Sequence, residues 1–237
     1  MRFLLMLLVA LGFSLTFLNC EDKQTSKKTQ NTVIKDSTEI TTKTKAKKKN
    51  ERKYPKLTDE NAMEFFLEYE KENPEDMVRI TTDFGVIDIK LYDKTKFHRA
   101  NFIYLTKLKY FHGTQFYRVV KDFVIQGGSS DDYNIMTRRK NIGHYLLPPD
   151  TKRGYTHKRG AISMPSSEIE NAYKLASPYQ FFIVQSPNGA AYLDGDYTVF
   201  GEVISGMDVV DEIAQVKTDD GEWPLQNVYI RKIELIE

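Results

Sequence analysis

The sequence of 237 residues has a single cysteine, Cys20, which is too little sulfur for a disulfide framework or a thiolate metal cluster. Its four histidines show no metal-ligand spacing, and we expect surface or loop positions for them: His98, His112, His144 and His157. No GxGxxG or P-loop pattern surrounds Gly127 and Gly128, which therefore indicate a turn. A hydrolase is not indicated, because no nucleophile elbow surrounds Ser163, Ser166 or Ser167.

Residues 1–19 have the charged start and apolar run of an export signal, and the run is too short to span a bilayer comfortably. A cysteine directly after such a run resembles the lipid-attachment site of bacterial lipoproteins. We therefore expect a lipidated Cys20 to begin the mature chain, in a membrane-anchored lipoprotein of the bacterial cell envelope that faces the periplasm or the cell surface. Asn19 replaces the usual small residue, so an ordinary signal or an uncleaved anchor is the alternative.

Residues 20–56 are predicted to form a disordered tether rich in Lys and Thr. Between residues 21 and 53 there are 11 Lys/Arg against 5 Asp/Glu, whereas residues 54–237 carry 22 against 28. The near-neutral chain therefore combines a basic arm with an acidic domain. No aromatic residues interleave with the lysines of the arm, so we expect contact with anionic lipid headgroups and no nucleic-acid partner.

A short helical extension is predicted over residues 57–76. Thr58 is a candidate N-cap, acidic residues follow it, and apolar residues recur at helical spacing until Pro74. This pattern predicts a helix over about residues 59–72. The helix either packs on the outside of the following domain or separates that domain from the tether.

The remainder, residues 77–237, consists mostly of short runs with period-two alternation, as where Ile87, Ile89 and Leu91 share one face. Similar runs recur at 116–120, 123–126, 160–164, 181–185, 198–204 and 228–236. Helical patterns at 99–110 and 207–216 interrupt them, and each can close one end of a barrel. Many short strands without regular crossover helices predict a mainly β domain, either an antiparallel barrel or a sandwich.

One of these runs is apolar on both of its faces. Alternation places Phe181 and Ile183 on one side, and Phe182 and Val184 on the other; residues 123–126 show the same feature. A strand of a closed barrel has only one core face. The second face must therefore be covered by another element or form an exposed apolar groove, which is a surface suited to binding peptides.

Five short motifs follow one another along the domain: Phe116-Tyr117-Arg118-Val119-Val120, Phe123-Val124-Ile125-Gln126-Gly127-Gly128, Gly160-Ala161-Ile162-Ser163-Met164, Gln180-Phe181-Phe182-Ile183, and Leu193-Asp194-Gly195 with Val199-Phe200-Gly201. In this order they resemble the cyclophilin family of peptidyl-prolyl cis-trans isomerases, over about residues 77–237. The resemblance implies a closed eight-stranded antiparallel barrel capped by two helices, with the substrate groove on its outer surface. It also implies proline-containing polypeptides as partners and no cofactor, and we expect a monomer.

The resemblance further implies the composition of the active site. Arg118 matches the catalytic arginine and Gln126 its positioning partner. The residues implied for the proline pocket and its rim are Phe123, Val124, Met164, Pro165, Ser166, Gln180, Phe182, Leu193 and Tyr197. Tyr197 stands where many family members have histidine. Tyr192 stands at the position of a tryptophan associated with cyclosporin binding, which puts strong sensitivity to that drug in doubt.

The chain departs from the family pattern at the rim of the expected groove. Pro165 and Ser166 stand where Ala-Asn is common, and the proline removes a backbone donor. The segment between Met164 and Gln180 is longer than in compact family members, so an extra loop or helical turn is expected at 168–177. The section 129–157 is also divergent.

Arginine suits isomerisation of a prolyl bond, because its guanidinium is always charged and offers several donors to the prolyl nitrogen. No nucleophile, metal or proton transfer is required. The sequence therefore indicates an isomerase that acts on exported or envelope proteins. The alternative is a proline-peptide-binding or chaperone module with little turnover; the presence of both Arg118 and Gln126 favours the enzyme.

Overall fold

A computed structural model of the protein describes residues 52–166 and 171–237. The expected export signal at 1–19, the expected lipidation site Cys20, and residues 20–51 of the expected tether lie outside the described residues. Among the described residues, none of the helices combines the length and the apolarity needed to cross a lipid bilayer.

Helices and strands occur in both of these described ranges. In chain order they are β1 (Leu57–Thr58), α1 (Ala62–Glu72), β2 (Met77–Thr82), β3 (Val86–Leu91), α2 (Lys96–Lys107), β4 (Gln115–Val120), β5 (Val124–Ser129), α3 (Tyr133–Ile142), β6 (Gly143–His144), β7 (Ala161–Met164), β8 (Phe181–Val184), β9 (Thr198–Ser205), α4 (Met207–Ile213) and β10 (Val228–Leu235), with a 3₁₀ turn at Ala191–Leu193.

Eight strands close into a barrel in the order β10-β2-β3-β9-β7-β8-β5-β4, and β4 pairs back with β10. All of these pairings are antiparallel. Ile80 lies opposite Ile87 on one side and Ile233 on the other, so neighbouring strands bring fully buried isoleucines together on the inner face. The closed eight-stranded antiparallel barrel is confirmed, and closure leaves its strands without an unpaired edge.

The two predicted helices pack against the barrel with shifted bounds. Phe102 of α2 is fully buried, and its ring centroid lies 4.9 Å from that of Phe111, 5.5 Å from that of Phe181 and 5.5 Å from that of Phe200. α2 ends earlier than predicted because Lys109 takes a left-handed φ of 56°, which terminates a helix. α4 also ends earlier, at Ile213 rather than 216.

The extension packs on the domain, and its predicted start is wrong. Thr58 is not an N-cap: it belongs to β1, which pairs in parallel with β6, and its backbone N–H donates to Oδ1 of Asn61 at 2.8 Å. The helix therefore begins at Ala62, three residues later than predicted. Its Tyr69 lies 5.3 Å from Tyr104 of α2, measured between ring centroids. Of the two roles predicted for this helix, the structure shows the first: α1 packs on the outside of the domain.

One helix, α3, is absent from the sequence prediction. Its N-cap is Asp132, whose carboxylate accepts hydrogen bonds from the backbone N–H groups of Asn134 at 2.8 Å and Ile135 at 3.2 Å. Only Ile135 and Ile142 of this helix are buried, so its sequence has no apolar stripe that periodicity reveals.

The expectation of surface or loop positions is wrong for one of the four histidines, His98. His98 lies inside α2 and is fully buried, and burial lowers its pKa to about 3. His157 lies in a loop, as expected, but it is only 1% exposed. The sequence prediction missed the burial of both histidines because an uncharged imidazole packs as readily as other aromatic rings, and no spacing pattern distinguishes that case.

Candidate active site

A β-bulge places two consecutive side chains of β4 on the outside of the barrel. Phe116 is fully buried and pairs with Gly127, whereas the next paired residue is Arg118, opposite Gln126. Tyr117 is the extra residue between them. A bulge of this kind interrupts the alternation of side chains along the strand, so that both Tyr117 and Arg118 lie on the outer face.

Arg118 lies in a surface cleft of about 260 Å³, which we call the Arg118 cleft. Nine of the predicted site residues line it: Arg118, Phe123, Val124, Gln126, Pro165, Ser166, Phe182, Leu193 and Tyr197. Three others lie elsewhere. Met164 is fully buried in the main core, Gln180 lines a neighbouring cavity, and Tyr192 is 71% exposed with its ring centroid 5.7 Å from that of Phe123.

The apolar walls of the cleft come from a second hydrophobic cluster on the outside of the barrel. Phe181 and Ile183 point into the main core, whereas Phe182 and Val184 belong to the outer cluster. The outer cluster includes Val124, and Leu193 and Tyr197 pack against it. The predicted second apolar face of β8 is thus partly covered and partly lines the groove.

Arg118 is anchored by an acidic residue that the sequence prediction missed. Its Nε donates to Oε2 of Glu222 at 2.6 Å, and its Cζ lies 5.8 Å from the centroid of the Phe123 ring. The backbone of Glu222 is fixed as well, because its carbonyl accepts a hydrogen bond from the N–H of Val119 at 2.9 Å. No sequence signal points to this pair, since 104 residues separate its members.

Gln126 lies opposite Arg118 in the strand register, yet its side chain contacts a different residue. Its Nε2 donates to the hydroxyl oxygen of Tyr117 at 2.5 Å. In this structure the described partner of the arginine Nε is therefore Glu222, and Gln126 forms the wall of the cleft beside it.

A Ser–His–Asp array lies directly beneath the cleft. His157 Nδ1 lies 2.6 Å from Oδ1 of Asp194, and its Nε2 lies 3.1 Å from Oγ of Ser163. The imidazole stacks on Phe182, with centroids 5.8 Å apart and an interplanar angle of 11°. This array links the floor of the cleft to the segment that follows Leu193. Sequence reasoning missed it because the three residues have no motif spacing.

The array is structural rather than nucleophilic. Ser163 is fully buried, and its hydroxyl oxygen lies 2.8 Å from the backbone carbonyl oxygen of Thr198 and 3.1 Å from Nε2 of His157, so its single proton is donated to one of these two acceptors at a time. Burial lowers the pKa of His157, and the hydrogen bond and charge of Asp194 only partly oppose that effect. The neutral imidazole therefore bridges two neighbours in the interior, where no substrate reaches the serine.

We expect Ser163→Ala to retain isomerase activity within about twofold while lowering the free energy of unfolding by about 1–2 kcal/mol, because it removes a buried hydrogen bond. A prolyl-peptide assay and urea unfolding of the full chain measure the two quantities. Labelling of wild-type Ser163 by a serine-directed fluorophosphonate, with loss of activity, would contradict the structural assignment.

The rim of the cleft follows the predicted departure from the family pattern. Residues 171–180 contain no helix, and Asn171 holds a turn through hydrogen bonds with both the N–H and the carbonyl of Leu175. Ala176 bridges to Leu147 and to Ser166 at the cleft. Within the described part of this insertion, the expected extra loop is therefore tied to the groove.

No group of three or more His, Cys, Asp or Glu among the described residues is arranged to hold a metal ion.

Comparison with known proteins places this geometry in a family. Residues 77–235 match the family model described as cyclophilin type peptidyl-prolyl cis-trans isomerase/CLD. A crystal structure of a cyclophilin-type isomerase from Cryptosporidium parvum, determined in the presence of the dipeptide Ala-Pro, superposes with a TM-score of 0.57 at 24% identity, covering 68% of this chain and 99% of that one.

Curated relatives agree with this assignment. Peptidyl-prolyl cis-trans isomerase-like 2 of Rhizopus delemar is 32% identical over 169 residues, which are 70% of this chain and 30% of that protein. A peptidyl-prolyl cis-trans isomerase of Acinetobacter baylyi is 34% identical over 60% of this chain and 73% of its own length. Peptidyl-prolyl cis-trans isomerase-like 1 of Mus musculus is 33% identical over 65% of this chain and 89% of its own length. The chain belongs to the cyclophilin-type peptidyl-prolyl cis-trans isomerase family.

Proposed function

We propose that the protein accelerates rotation about X-Pro bonds in polypeptides, with Arg118 as the catalytic residue. The observation that carries this proposal is the placement of Arg118 in a cleft with apolar walls on one side, with its Nε held by Glu222. Among the described contacts, no hydrogen bond engages its two Nη atoms. These atoms supply the donors that a substrate needs.

The barrier to rotation of a peptide bond, about 18–20 kcal/mol, comes from delocalisation of the nitrogen lone pair into the carbonyl. Twisting the bond localises that lone pair on the prolyl nitrogen. A guanidinium N–H that donates to this nitrogen therefore stabilises the twisted state more than either planar ground state, which lowers the barrier. Each 1.36 kcal/mol of such differential stabilisation gives about a tenfold increase in rate.

The apolar side of the cleft supports this step. Phe123, Phe182 and Leu193 present hydrocarbon to a proline ring and exclude water, which otherwise competes for the arginine donors. The side chain of Arg118 is 33% exposed, so a substrate reaches it without rearrangement of the barrel. The proposed substrates are proline-containing polypeptides, the class to which the dipeptide present with the C. parvum protein belongs.

Refolding of a model protein tests this function. Isomerisation of non-native prolyl bonds limits the slow refolding phase of many proteins to tens of seconds or longer. We expect catalytic amounts of the full chain to shorten such a phase in proportion to enzyme concentration. A proline-free control protein should show no change. Suppressed aggregation with an unaltered slow phase would instead identify a binding or chaperone module.

We further propose that the enzyme works on exported or envelope proteins, as a lipoprotein anchored through Cys20. The support is the pattern of the first 20 residues and the basic composition of the segment that follows. Mass spectrometry of the mature N-terminus tests this proposal, which predicts a diacylated cysteine. An unmodified Cys20 in the membrane fraction would contradict it.

A further inference from the structure

A second cavity of about 280 Å³ lies next to the Arg118 cleft. Its lining differs from that of the cleft and consists of Gln115, Tyr117, Ser129, Ser130, Asp131, Gln180 and Trp223. The hydrogen bond between Gln126 and Tyr117 forms the partition, because Gln126 lines the cleft and Tyr117 lines the second cavity. A substrate bound at Arg118 therefore passes beside this second cavity.

Two aromatic rings form one wall of the second cavity. The ring centroids of Tyr117 and Trp223 are 5.6 Å apart at an angle of 45°, and Trp223 is 53% exposed. The loop that carries Trp223 is fixed, because Oδ1 of Asp219 accepts from the N–H groups of Gly221 and Trp223, each at 2.9 Å. The loop that carries this part of the wall is therefore ordered before binding, and the exposed Trp223 ring is accessible to an incoming group.

The polar lining of this cavity favours a cation. Among the described residues that line the cavity, the charged one is Asp131, an acid. The neighbouring guanidinium of Arg118 is already paired with Glu222. The remaining polar groups are the amides and hydroxyls of glutamine and serine side chains. A cationic group placed over a tyrosine or tryptophan ring at an exposed site binds about two- to fivefold more tightly than an uncharged one. A carboxylate at the same site adds a contribution of similar size.

We propose that this cavity is a subsite for a lysine or arginine side chain of the substrate polypeptide, close in sequence to the isomerised proline. The proposal rests on the proposed function, since the lysine or arginine belongs to the same substrate polypeptide whose proline binds at Arg118. Tyr117 and Arg118 are consecutive residues, whose Cα atoms are about 3.8 Å apart. Because an extended peptide spans about 3.3–3.6 Å per residue, the occupant lies within about three residues of the proline.

Trp223 is the only tryptophan of the sequence, so the tryptophan fluorescence of the protein comes from the wall of this cavity. The experiment titrates the full chain with alanine-based peptides that contain one proline and carry lysine, norleucine or glutamate at positions within three residues of it. We expect the best lysine peptide to change Trp223 fluorescence and to bind about fivefold more tightly than its norleucine counterpart. The glutamate peptide should bind more weakly than both.

Asp131→Asn should reduce the advantage of lysine over norleucine from about fivefold to about twofold, the part that the aromatic rings supply, and leave the affinity for the norleucine peptide unchanged. The matched control is Glu212→Gln, which removes an exposed carboxylate of α4 that lines neither cavity and should preserve the advantage. Equal binding of the lysine and glutamate peptides by the wild type would overturn the subsite, as would an undiminished lysine preference in Asp131→Asn.

The isomerisation rate of the norleucine peptide separates this proposal from the proposed function. A lysine preference in fluorescence without any acceleration would uphold the subsite and refute the enzyme. Acceleration of all three peptides with equal kcat/KM and equal affinity would uphold the enzyme and refute the subsite.

Discussion

Replacement of Arg118 by alanine is expected to lower kcat/KM for a prolyl peptide by about 10²- to 10³-fold, because it removes the preorganised donor to the prolyl nitrogen. The apolar walls of the cleft remain, so affinity for the peptide should change by less than about fivefold. Exchange NMR at saturating and limiting peptide concentrations separates these two effects. The variant should fold normally, since the Arg118 side chain is partly exposed and on the outside of the barrel.

Glu222→Gln is the companion variant to Arg118→Ala. It keeps a hydrogen-bond acceptor for Nε of Arg118 but removes the charge, so we expect a smaller loss, of about two- to tenfold in kcat with little change in KM. Wild-type turnover in Arg118→Ala would eliminate the proposed mechanism, whatever the result for Glu222. A loss in Glu222→Gln that equals the loss in Arg118→Ala would show that the ion pair, rather than the donor alone, carries catalysis.

Replacement of Arg99 by alanine is expected to lower the free energy of unfolding by about 3–5 kcal/mol, because it leaves a largely buried carboxylate without its principal partner. The Arg99 side chain is 4% exposed. Its Nη2 donates to Oε1 of Glu70 at 2.8 Å, and its Nη1 donates to the carbonyls of Pro74 at 2.8 Å and Glu75 at 3.2 Å. This one side chain therefore joins the N-terminal extension to α2.

Lys71→Ala is the control for Arg99→Ala, since its pair with Glu68 joins two side chains that are 58% and 67% exposed. An exposed pair of this kind contributes about 0.5 kcal/mol or less. Urea unfolding of the full-length variants measures both changes. Similar stabilities of Arg99→Ala and Lys71→Ala would contradict the role assigned to Arg99 as the anchor of the extension.

The barrel was predictable because period-two alternation is a local property of each strand. The two apolar faces of 181–184 also predicted the groove, since a closed barrel has one interior. The helix α3 was not predictable in this way. Its stability comes from the Asp132 cap and from contacts such as those of Arg138 with the carbonyls of Lys109 and His112, which are distant in sequence.

The candidate site shows the same division between local and long-range information. The cleft gathers nine residues that the family resemblance implies, because the motifs lie on adjacent strands. Glu222 and the array of His157, Asp194 and Ser163 depend on contacts between segments with no shared motif. Gln180 was expected beside the proline pocket; its place in the second cavity follows from its position just before β8, on the far side of Gln126.

The most direct test of catalysis by the Arg118 cleft is two-dimensional exchange NMR on a short Ala-Pro peptide with a catalytic amount of the full chain. Uncatalysed interconversion of X-Pro bonds takes tens to hundreds of seconds at 25 °C. We predict exchange cross-peaks between the cis and trans resonances at sub-second mixing times with the wild type, and none with Arg118→Ala. Peptide shifts that show binding to the wild type, without any exchange cross-peaks, would contradict the account.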